Sequence, residues 1–348
     1  MFKRIITILL IVILSSQFTA CKSSKLTRYK AEFLLLFDTL TTIIAYTESK
    51  EDFNKFSKLI YDNLKEYHEL YDIYNNYENI NNIKTINDNA GISPVKVDKK
   101  ILDLIVFAKN AYTETNGKIN IAFGSVLKIW HLYRTEGIDD PENAALPPLD
   151  MLAEAAKHTD INKLIVNEKE STVFLEDPNM SLDVGAIAKG YATEMVSNIA
   201  MENGYNSGLI SVGGNVRVFG YKGEESQLWN VGIQNPDLES DNPTLNITYL
   251  SDLSLVTSGD YQRYYTVDGK RYHHIIDPET LMPSEYFTAV TIICKNSGTA
   301  DALSTAVFNM PFEQGLQFID NLQNTEALWI FKNGEIKYSA NFKDFIKK

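Results

Sequence analysis

The chain has 348 residues, of which 44% are hydrophobic and 22% are charged, so it carries enough apolar material for one large domain or two small ones. This composition excludes an intrinsically disordered chain. The formal net charge of −12 repels polyphosphate backbones, and we therefore expect no nucleic acid among its partners.

The first twenty residues are typical of a secretory signal peptide. A basic start at Lys3 and Arg4 precedes an apolar run over residues 5–14, which is too short to span a bilayer. Cys21 comes directly after small residues, and this arrangement resembles a bacterial lipoprotein signal in which Cys21 becomes the lipidated first residue. The sequence thus predicts three segments: a signal peptide at 1–20, a tether at 21–30 and a folded domain at 31–348.

In the first half of the folded domain, the sequence pattern predicts one strand followed by two long helices. Residues 32–46 alternate apolar and Thr-rich positions, as strands do, whereas apolar residues recur with helical period over 53–71. A second amphipathic helix is predicted over 101–112, with Asn116-Gly117 as its stop signal. Residues 138–148 hold three of the ten prolines and predict a surface loop.

The second half predicts another helix and a series of strands. The helix follows Asp183 and ends at Asn203-Gly204, and two-residue hairpin turns are predicted at Asp268-Gly269 and Asn333-Gly334. Cys294 ends the apolar run over residues 290–294, so we expect a buried structural cysteine and not a catalytic thiol. Helices mixed with hairpins favour an α+β fold with mixed or antiparallel sheets.

Asp301 and Thr305 are the first candidate functional pair. On a predicted helix over 301–310, positions four apart share one face, so a carboxylate and a hydroxyl could hold one cation from the same side. Oxygen ligands of this kind suit Mg²⁺ or Ca²⁺. The alternative is that Asp301 caps the helix and Thr305 bonds back to a helix carbonyl.

A second candidate site lies at the start of the helix that follows Asp183. Gly185 leaves the backbone unhindered there, and Lys189 adds a cation next to helix N–H groups, so the segment could bind a diphosphate. The alternative is an Asp183 that caps the helix and a Lys189 in solvent. Gly213-Gly214 could likewise approach a ligand or simply form a tight turn.

His273 and His274 are the candidate acid–base residues. Neighbouring side chains on a strand alternate between its faces, so at most one of the two points into a given cleft. An imidazole there could serve as a base or as a hydrogen-bond donor to phosphate. The alternative is a histidine that bonds within the sheet or faces solvent.

Five ordered segments together resemble the ApbE family of flavin transferases. They are SLDVGAIAKGYA at 181–192, ISVGGNVRV at 210–218, TSGDYQRY at 257–264, HHIIDP at 273–278 and DALSTA at 301–306. The resemblance extends from about Phe37 to the region of Trp329 and implies a core similar to the T-fold. It also favours His274 over His273 as the catalytic histidine.

The resemblance further implies roles for individual residues. Asp301, Thr305 and the main-chain carbonyl of Ala186 match the metal ligands, and Asp301 is also placed among the catalytic residues. The flavin-nucleotide contacts match a larger set, namely Leu40, Tyr74, Lys118, Ile119, Asn120, Asp183, Lys189 and Ile275. The family pattern departs from this chain at Leu40, after Tyr74 and at Asn120, where an Asp is common.

The activity implied is Mg²⁺-dependent transfer of the FMN half of FAD to a Thr or Ser hydroxyl of a partner protein, with release of AMP. One alternative is a metal-dependent FAD pyrophosphatase that yields FMN and AMP, and another is an exported FAD-binding lipoprotein. Expected partners are FAD and the subunits of membrane redox complexes that carry an acceptor hydroxyl. With the predicted lipid on Cys21, we expect the enzyme on the outer, periplasmic face of the cytoplasmic membrane.

Overall fold

The structure is a computed structural model that describes residues 26–223 and 226–346. Its strands are β1 Thr27–Phe33, β2 Thr41–Thr47, β3 Val95–Lys96, β4 Leu164–Asn167, β5 Thr172–Leu175, β6 Gly208–Val212, β7 Asn215–Phe219, β8 Trp229–Gln234, β9 Thr244–Leu250, β10 Ser254–Gly259, β11 Tyr264–Val267, β12 Lys270–His273, β13 Phe287–Cys294, β14 Glu326–Phe331 and β15 Ile336–Tyr338. Its helices are α1 Lys50–Tyr71, α2 Ile83–Asp88, α3 Lys99–Glu114, α4 Gly124–Asp139, α5 Leu149–Ala156, α6 Ala188–Glu202, α7 Ser297–Phe308 and α8 Phe312–Asp320.

An eight-stranded antiparallel sheet, in the order β1-β2-β6-β7-β10-β13-β14-β15, forms the centre of the fold. Helices α6 and α7 pack against each other, and α7 packs on β10 and β13. Smaller antiparallel sheets are formed by β3-β5-β4, by β8-β9 and by β11-β12. This arrangement confirms the predicted α+β class with antiparallel sheets and packed helices.

Strand β13 is buried along almost its whole length because both of its faces are covered. Ile292 belongs to the large core formed with the helices, whereas its neighbour Ile293 packs with Trp229 of the β8-β9 hairpin on the opposite face. Period-two alternation between polar and apolar residues is lost in such a strand. Cys294 at its end is buried, which confirms the predicted burial, and burial raises the pKa of its thiol to about 12.

Several predicted elements are confirmed with small shifts of their ends. The helices predicted over 53–71 and 101–112 are α1 and α3. Both predicted hairpins form: Asp268-Gly269 joins β11 to β12, and Asn333-Gly334 lies between β14 and β15. Helical periodicity and turn residues act over a few neighbouring positions, so these elements can be predicted without information on tertiary contacts.

The single strand predicted over 32–46 is wrong. It is two antiparallel strands, β1 and β2, in register from Thr27↔Thr47 to Phe33↔Thr41. Between them Leu35 and Phe37 adopt positive φ, which reverses the chain without a glycine signal. Because β1 begins at Thr27, the last four residues of the predicted tether belong to the sheet.

The loop predicted over 138–148 is only partly correct. Helix α4 continues to Asp139, and Pro141–Asn143 form a turn of 3-10 helix. The end of α4 is held by packing, since Gly137 is buried beside the ring of Tyr265. The prolines therefore mark the exit from a helix, not an entirely irregular segment.

The predicted signal peptide and the lipidation site at Cys21 lie outside the described residues. Within the ranges that the structure describes, no helix combines the length and apolarity needed to cross a bilayer.

Candidate functional site

A cavity of about 350 Å³ opens where α6, α7 and β10 meet the segments around residues 72–75, 118–123 and 274–278. Its volume is within the range of about 300 to 1,000 Å³ that small-molecule sites occupy. Of the residues that the family resemblance assigns to the site, all in the described chain except Leu40 line it: Tyr74, Lys118, Ile119, Asn120, Asp183, Ala186, Lys189, His274, Ile275, Asp301 and Thr305.

Leu40 is the predicted residue that the structure does not place on the cavity wall. Its side chain is exposed, while its carbonyl accepts a hydrogen bond from the Gly213 N–H at 3.0 Å. The neighbouring residues Phe37, Asp38 and Thr39 line the cavity instead. The turn between β1 and β2 places these three residues on the wall, and the flavin contact at Leu40 stays a prediction.

Asp301 is buried in the second turn of α7. The helix begins at Ser297 and is capped by the Asn296 side chain, so the alternative that Asp301 caps a helix starting at 301 is wrong. Its Oδ2 accepts the Gly190 N–H at 2.8 Å. Burial raises the pKa of the Asp301 carboxyl, while Lys189 and the Gly190 N–H act in the opposite direction.

Gly190 is required where α6 and α7 cross. A Cβ at this position would lie 2.4 Å from both the Asp301 Cβ and the Ser297 carbonyl oxygen. The missing side chain therefore allows the two helices to approach closely enough for the hydrogen bond from Gly190 to Asp301.

Thr305 lies one turn beyond Asp301 on α7 and lines the same cavity. Its hydroxyl is 3.3 Å from the Ser258 hydroxyl on β10. Ser304, and not Thr305, makes the hydrogen bond back to the helix, since its hydroxyl donates to the Asp301 carbonyl at 2.9 Å. The pair Asp301 and Thr305 thus shares one wall, as helical spacing predicts.

The predicted cation ligands form an all-oxygen set on the wall of one cavity. Asp301 supplies a buried carboxyl group that accepts the Gly190 N–H, and Ala186 lines the same cavity on the segment before α6. Mg²⁺ favours a few protein oxygens together with water and phosphate oxygens, and these residues fit that requirement. Among the described residues no group of three or more His, Cys, Asp or Glu side chains could hold a metal, and the predicted set uses only one such side chain.

The segment before α6 is held by Asp183. Its Oδ1 accepts the Gly185 N–H at 2.8 Å, and its own N–H donates to the Ile121 carbonyl at 2.8 Å. Helix α6 begins at Ala188 with Ile187 at the N-cap, so the alternative that Asp183 caps this helix is wrong. Lys189, in the first turn, donates to the Gly185 carbonyl at 3.3 Å.

The two adjacent histidines have different environments. His273 is buried, and its Nε2 is 2.7 Å from the Ser284 carbonyl, so it bonds within the fold. His274 lines the cavity, with Nδ1 3.2 Å from the Arg263 carbonyl. A carbonyl only accepts hydrogen bonds, so Nδ1 carries the proton and Nε2 has a free lone pair. Burial, followed by the charge of Arg263, holds the pKa of His274 well below its usual range.

Lys118, on the cavity wall, is paired with two acidic side chains. Its ammonium lies 3.2 Å from Asp277 and 2.9 Å from Glu279. Burial lowers the pKa of Lys118, but these two acids outweigh it and raise the value overall. Because its charge is balanced within the protein, Lys118 offers less to a phosphate than Lys189 does.

The other predicted flavin-contact residues near Lys118 are held in place by hydrogen bonds or by burial. The Asn120 side chain donates to the Thr159 carbonyl and accepts the Ala122 N–H, both at 2.9 Å. Ile119 and Ile275 are buried apolar parts of the wall. Gly213-Gly214 forms the tight turn between β6 and β7, as one interpretation of this pair predicts, and Gly213 also lines the cavity.

Sequence reasoning missed several residues of the cavity. The Tyr74 hydroxyl is 3.1 Å from His131 Nδ1, and His131 Nε2 is 3.9 Å from Asp183 on the other side. His131 is on α4, and no motif marks it. Ser258 lies in the TSGDYQRY segment, so its motif was visible although its contact with Thr305 was not.

Comparisons with known proteins identify the family to which this chain is similar. The model of the ApbE family matches residues 37–329. A FAD:protein FMN transferase of Treponema pallidum (strain Nichols) is 33% identical over 275 residues, which cover 75% of this chain and 74% of the relative. One from Klebsiella pneumoniae (strain 342) is 33% identical over 256 residues, covering 73% and 76%.

Solved structures are similar in fold. The crystal structure of an ApbE protein from Thermotoga maritima superposes with a TM-score of 0.81 at 29% identity and covers 92% of this chain and all 100% of that one. The flavin transferase ApbE from Vibrio cholerae gives a TM-score of 0.76 at 23% identity, with 92% and 99% coverage, and supports the fold alone.

Proposed function

Because this chain belongs to the ApbE family, we propose that it is a FAD:protein FMN transferase that moves the FMN half of FAD to a Thr or Ser hydroxyl of a target protein and releases AMP. The observation that carries the proposal is the convergence of Asp301, Thr305, Lys189 and His274 on one cavity. These residues come from three separate segments of the chain, and together they would supply a cation site, a positive charge and a base.

The reaction must overcome charge repulsion. The FAD diphosphate is doubly anionic and repels an incoming hydroxyl oxygen, so positive charge near the phosphorus lowers the barrier. Lys189 supplies one such charge from the first turn of α6. We assign Mg²⁺ to Asp301, Thr305 and the Ala186 carbonyl, where it would neutralise the diphosphate and align it for attack.

His274 is suited to remove the acceptor proton. The acceptor oxygen bonds to the FMN-side phosphorus, the bond from that phosphorus to the AMP phosphate breaks, and the electron pair leaves with AMP. The hydroxyl proton goes to His274 Nε2. This nitrogen carries no proton, because the single ring proton of the neutral imidazole is on Nδ1, which donates to the Arg263 carbonyl. The lowered pKa of His274 keeps the ring neutral near pH 7, as a base requires.

We assign the enzyme to the outer, periplasmic face of the cytoplasmic membrane. The support is the signal-like sequence of residues 1–20 followed by Cys21. Acyl chains on Cys21 would anchor the protein stably, since each buried CH₂ contributes about 0.8 kcal/mol. Its targets would then be exported subunits of membrane redox complexes that carry the acceptor hydroxyl.

The direct test is incubation of the protein with FAD, Mg²⁺ and a candidate target that bears an acceptor Thr. Transfer leaves a fluorescent flavin band on the target after denaturing gel electrophoresis, and a chelator removes it. Free FMN and AMP without the band would identify a pyrophosphatase instead. FAD binding without AMP formation would identify a flavin-binding protein.

A further inference from the structure

We infer that Ser258 is a positioning residue that orients the Thr305 hydroxyl, so that the lone pairs of Thr305 face the cavity and its proton faces away. Ser258 belongs to β10, and Thr305 belongs to α7, which packs on that strand. The inference rests on the proposed cation site and adds a residue that acts through one of its ligands.

Three hydroxyl groups form a chain between the cavity and the helix backbone. The Thr305 hydroxyl is 3.3 Å from Ser258 Oγ, and Ser258 Oγ is 2.7 Å from Ser304 Oγ. The Ser304 hydroxyl in turn lies 2.9 Å from the Asp301 carbonyl oxygen. Ser304 is fully buried, whereas Ser258 and Thr305 are half-buried at the cavity wall.

The Asp301 carbonyl, at the end of this series of hydroxyl groups, determines the direction of every hydrogen bond in the series. A carbonyl only accepts, so Ser304 donates its single proton to Asp301. Ser304 must then accept from Ser258, and this uses the single proton of Ser258. The contact between Ser258 and Thr305 is therefore a hydrogen bond that Thr305 donates. Any other order would leave two oxygen lone pairs facing each other without a proton.

The orientation matters because a hydroxyl binds a cation through its lone pairs. A Thr305 proton that pointed into the cavity would oppose a cation held by Asp301. With the proton held by Ser258, Thr305 Oγ1 presents lone pairs toward the same space as the Asp301 carboxylate. The chain also couples both ligands, since it runs from the Thr305 hydroxyl to the peptide carbonyl of Asp301.

Mn²⁺ is a suitable probe, because the EPR signal of the free ion reports binding without any turnover. We expect Ser258→Ala to weaken Mn²⁺ binding about 10- to 100-fold, as loss of a partner of a metal ligand typically does. Ser304→Ala removes the hydrogen bonds that connect Ser258 to the Asp301 carbonyl, and it should also weaken Mn²⁺ binding. In a Thr305→Val background, Ser258→Ala should have no further effect, because it acts through Thr305.

Ser284→Ala is the matched control. It removes another buried serine hydrogen bond to α7, from Ser284 Oγ to the Phe308 carbonyl at 2.9 Å, without touching Thr305. Its Mn²⁺ affinity should equal that of the wild type.

Two results would overturn the inference in distinguishable ways. If folded Ser258→Ala or Ser304→Ala binds Mn²⁺ like the wild type while Asp301→Ala does not bind it, Ser258 has no positioning role and the proposed cation site stands. If the wild type binds no Mn²⁺ that depends on Asp301, the cation site itself fails and this inference fails with it.

Discussion

The backbone N–H of Gly190 donates to Asp301 Oδ2 at 2.8 Å, and a Cβ at Gly190 would lie 2.4 Å from the Asp301 Cβ. The proposed cation site therefore depends on the absence of a side chain on the facing helix. A single methyl group at this crossing would either separate α6 from α7 or displace the carboxylate.

We expect Gly190→Ala to lower the free energy of unfolding by about 1 to 3 kcal/mol through overpacking. It should also reduce flavin transfer, because Asp301 moves with the helix. Urea denaturation measures the first effect. Gly315→Ala is the control, since its Cβ would come no closer than 3.6 Å to any neighbour and alanine favours the helix by up to about 1 kcal/mol. Equal stability changes for both variants would contradict the close approach.

His274→Gln should lower the rate of FMN transfer by about 100-fold or more, because the proton acceptor is lost, while FAD binding is retained. A base must be neutral, so the wild-type rate is present above the pKa of His274 and is lost as the pH falls through it. Since that pKa is well below the ordinary 6.5, the rate should stay level through the range where histidine normally titrates. A pH–rate profile with a half-point at or above 6.5 would contradict this assignment.

The buried pair of Arg217 and Glu194 fastens α6 and α7 to the sheet. Glu194 Oε2 lies 3.2 Å from Arg217 Nε and accepts the Ser297 N–H at 2.8 Å. Glu194→Ala would leave the Arg217 charge buried and unpaired, so we expect a loss of about 3 to 5 kcal/mol in the free energy of unfolding. The exposed pair Lys58 and Asp62 is the comparison, and Asp62→Ala should cost less than about 1 kcal/mol. Similar losses for both variants would contradict a desolvated Arg217.

Asp177 makes stability depend on acid pH. Desolvation raises its pKa, but hydrogen bonds from His158, the Asn179 N–H and Lys163 outweigh this and lower it to about 2. The stabilisation is thus fully present above the ordinary value of 3.8 and is lost as the pH falls toward about 2. The difference in unfolding free energy between wild type and Asp177→Asn should shrink over that window. A difference that does not change with pH would rule out this linkage.

The sequence predicted those features whose signals are local. Helical periodicity identified α1 and α3, and Asp268-Gly269 marked a hairpin, because period and turn chemistry act over a few residues. The family resemblance of the five ordered segments predicted that Asp301, Lys189 and His274 belong to one site. Strand order and the hydroxyl chain through Ser258 depend on contacts between distant segments, which no local pattern specifies. Phe37, Asp38 and Thr39 line the cavity next to Leu40 for the same reason, since left-handed residues at Leu35 and Phe37 shape the turn between β1 and β2.

Asp301→Asn tests the central claim most directly, because it keeps the size of the side chain and an oxygen that can accept the Gly190 N–H. It removes the negative charge and replaces the second oxygen with an NH₂ group, which does not bind a cation. The measurement is AMP release and flavin incorporation into a Thr-bearing target, with FAD and Mg²⁺ present. We predict that both fall at least about 100-fold, together, with the fold intact. An Asp301→Asn protein that releases AMP and labels the target at the wild-type rate would contradict the account.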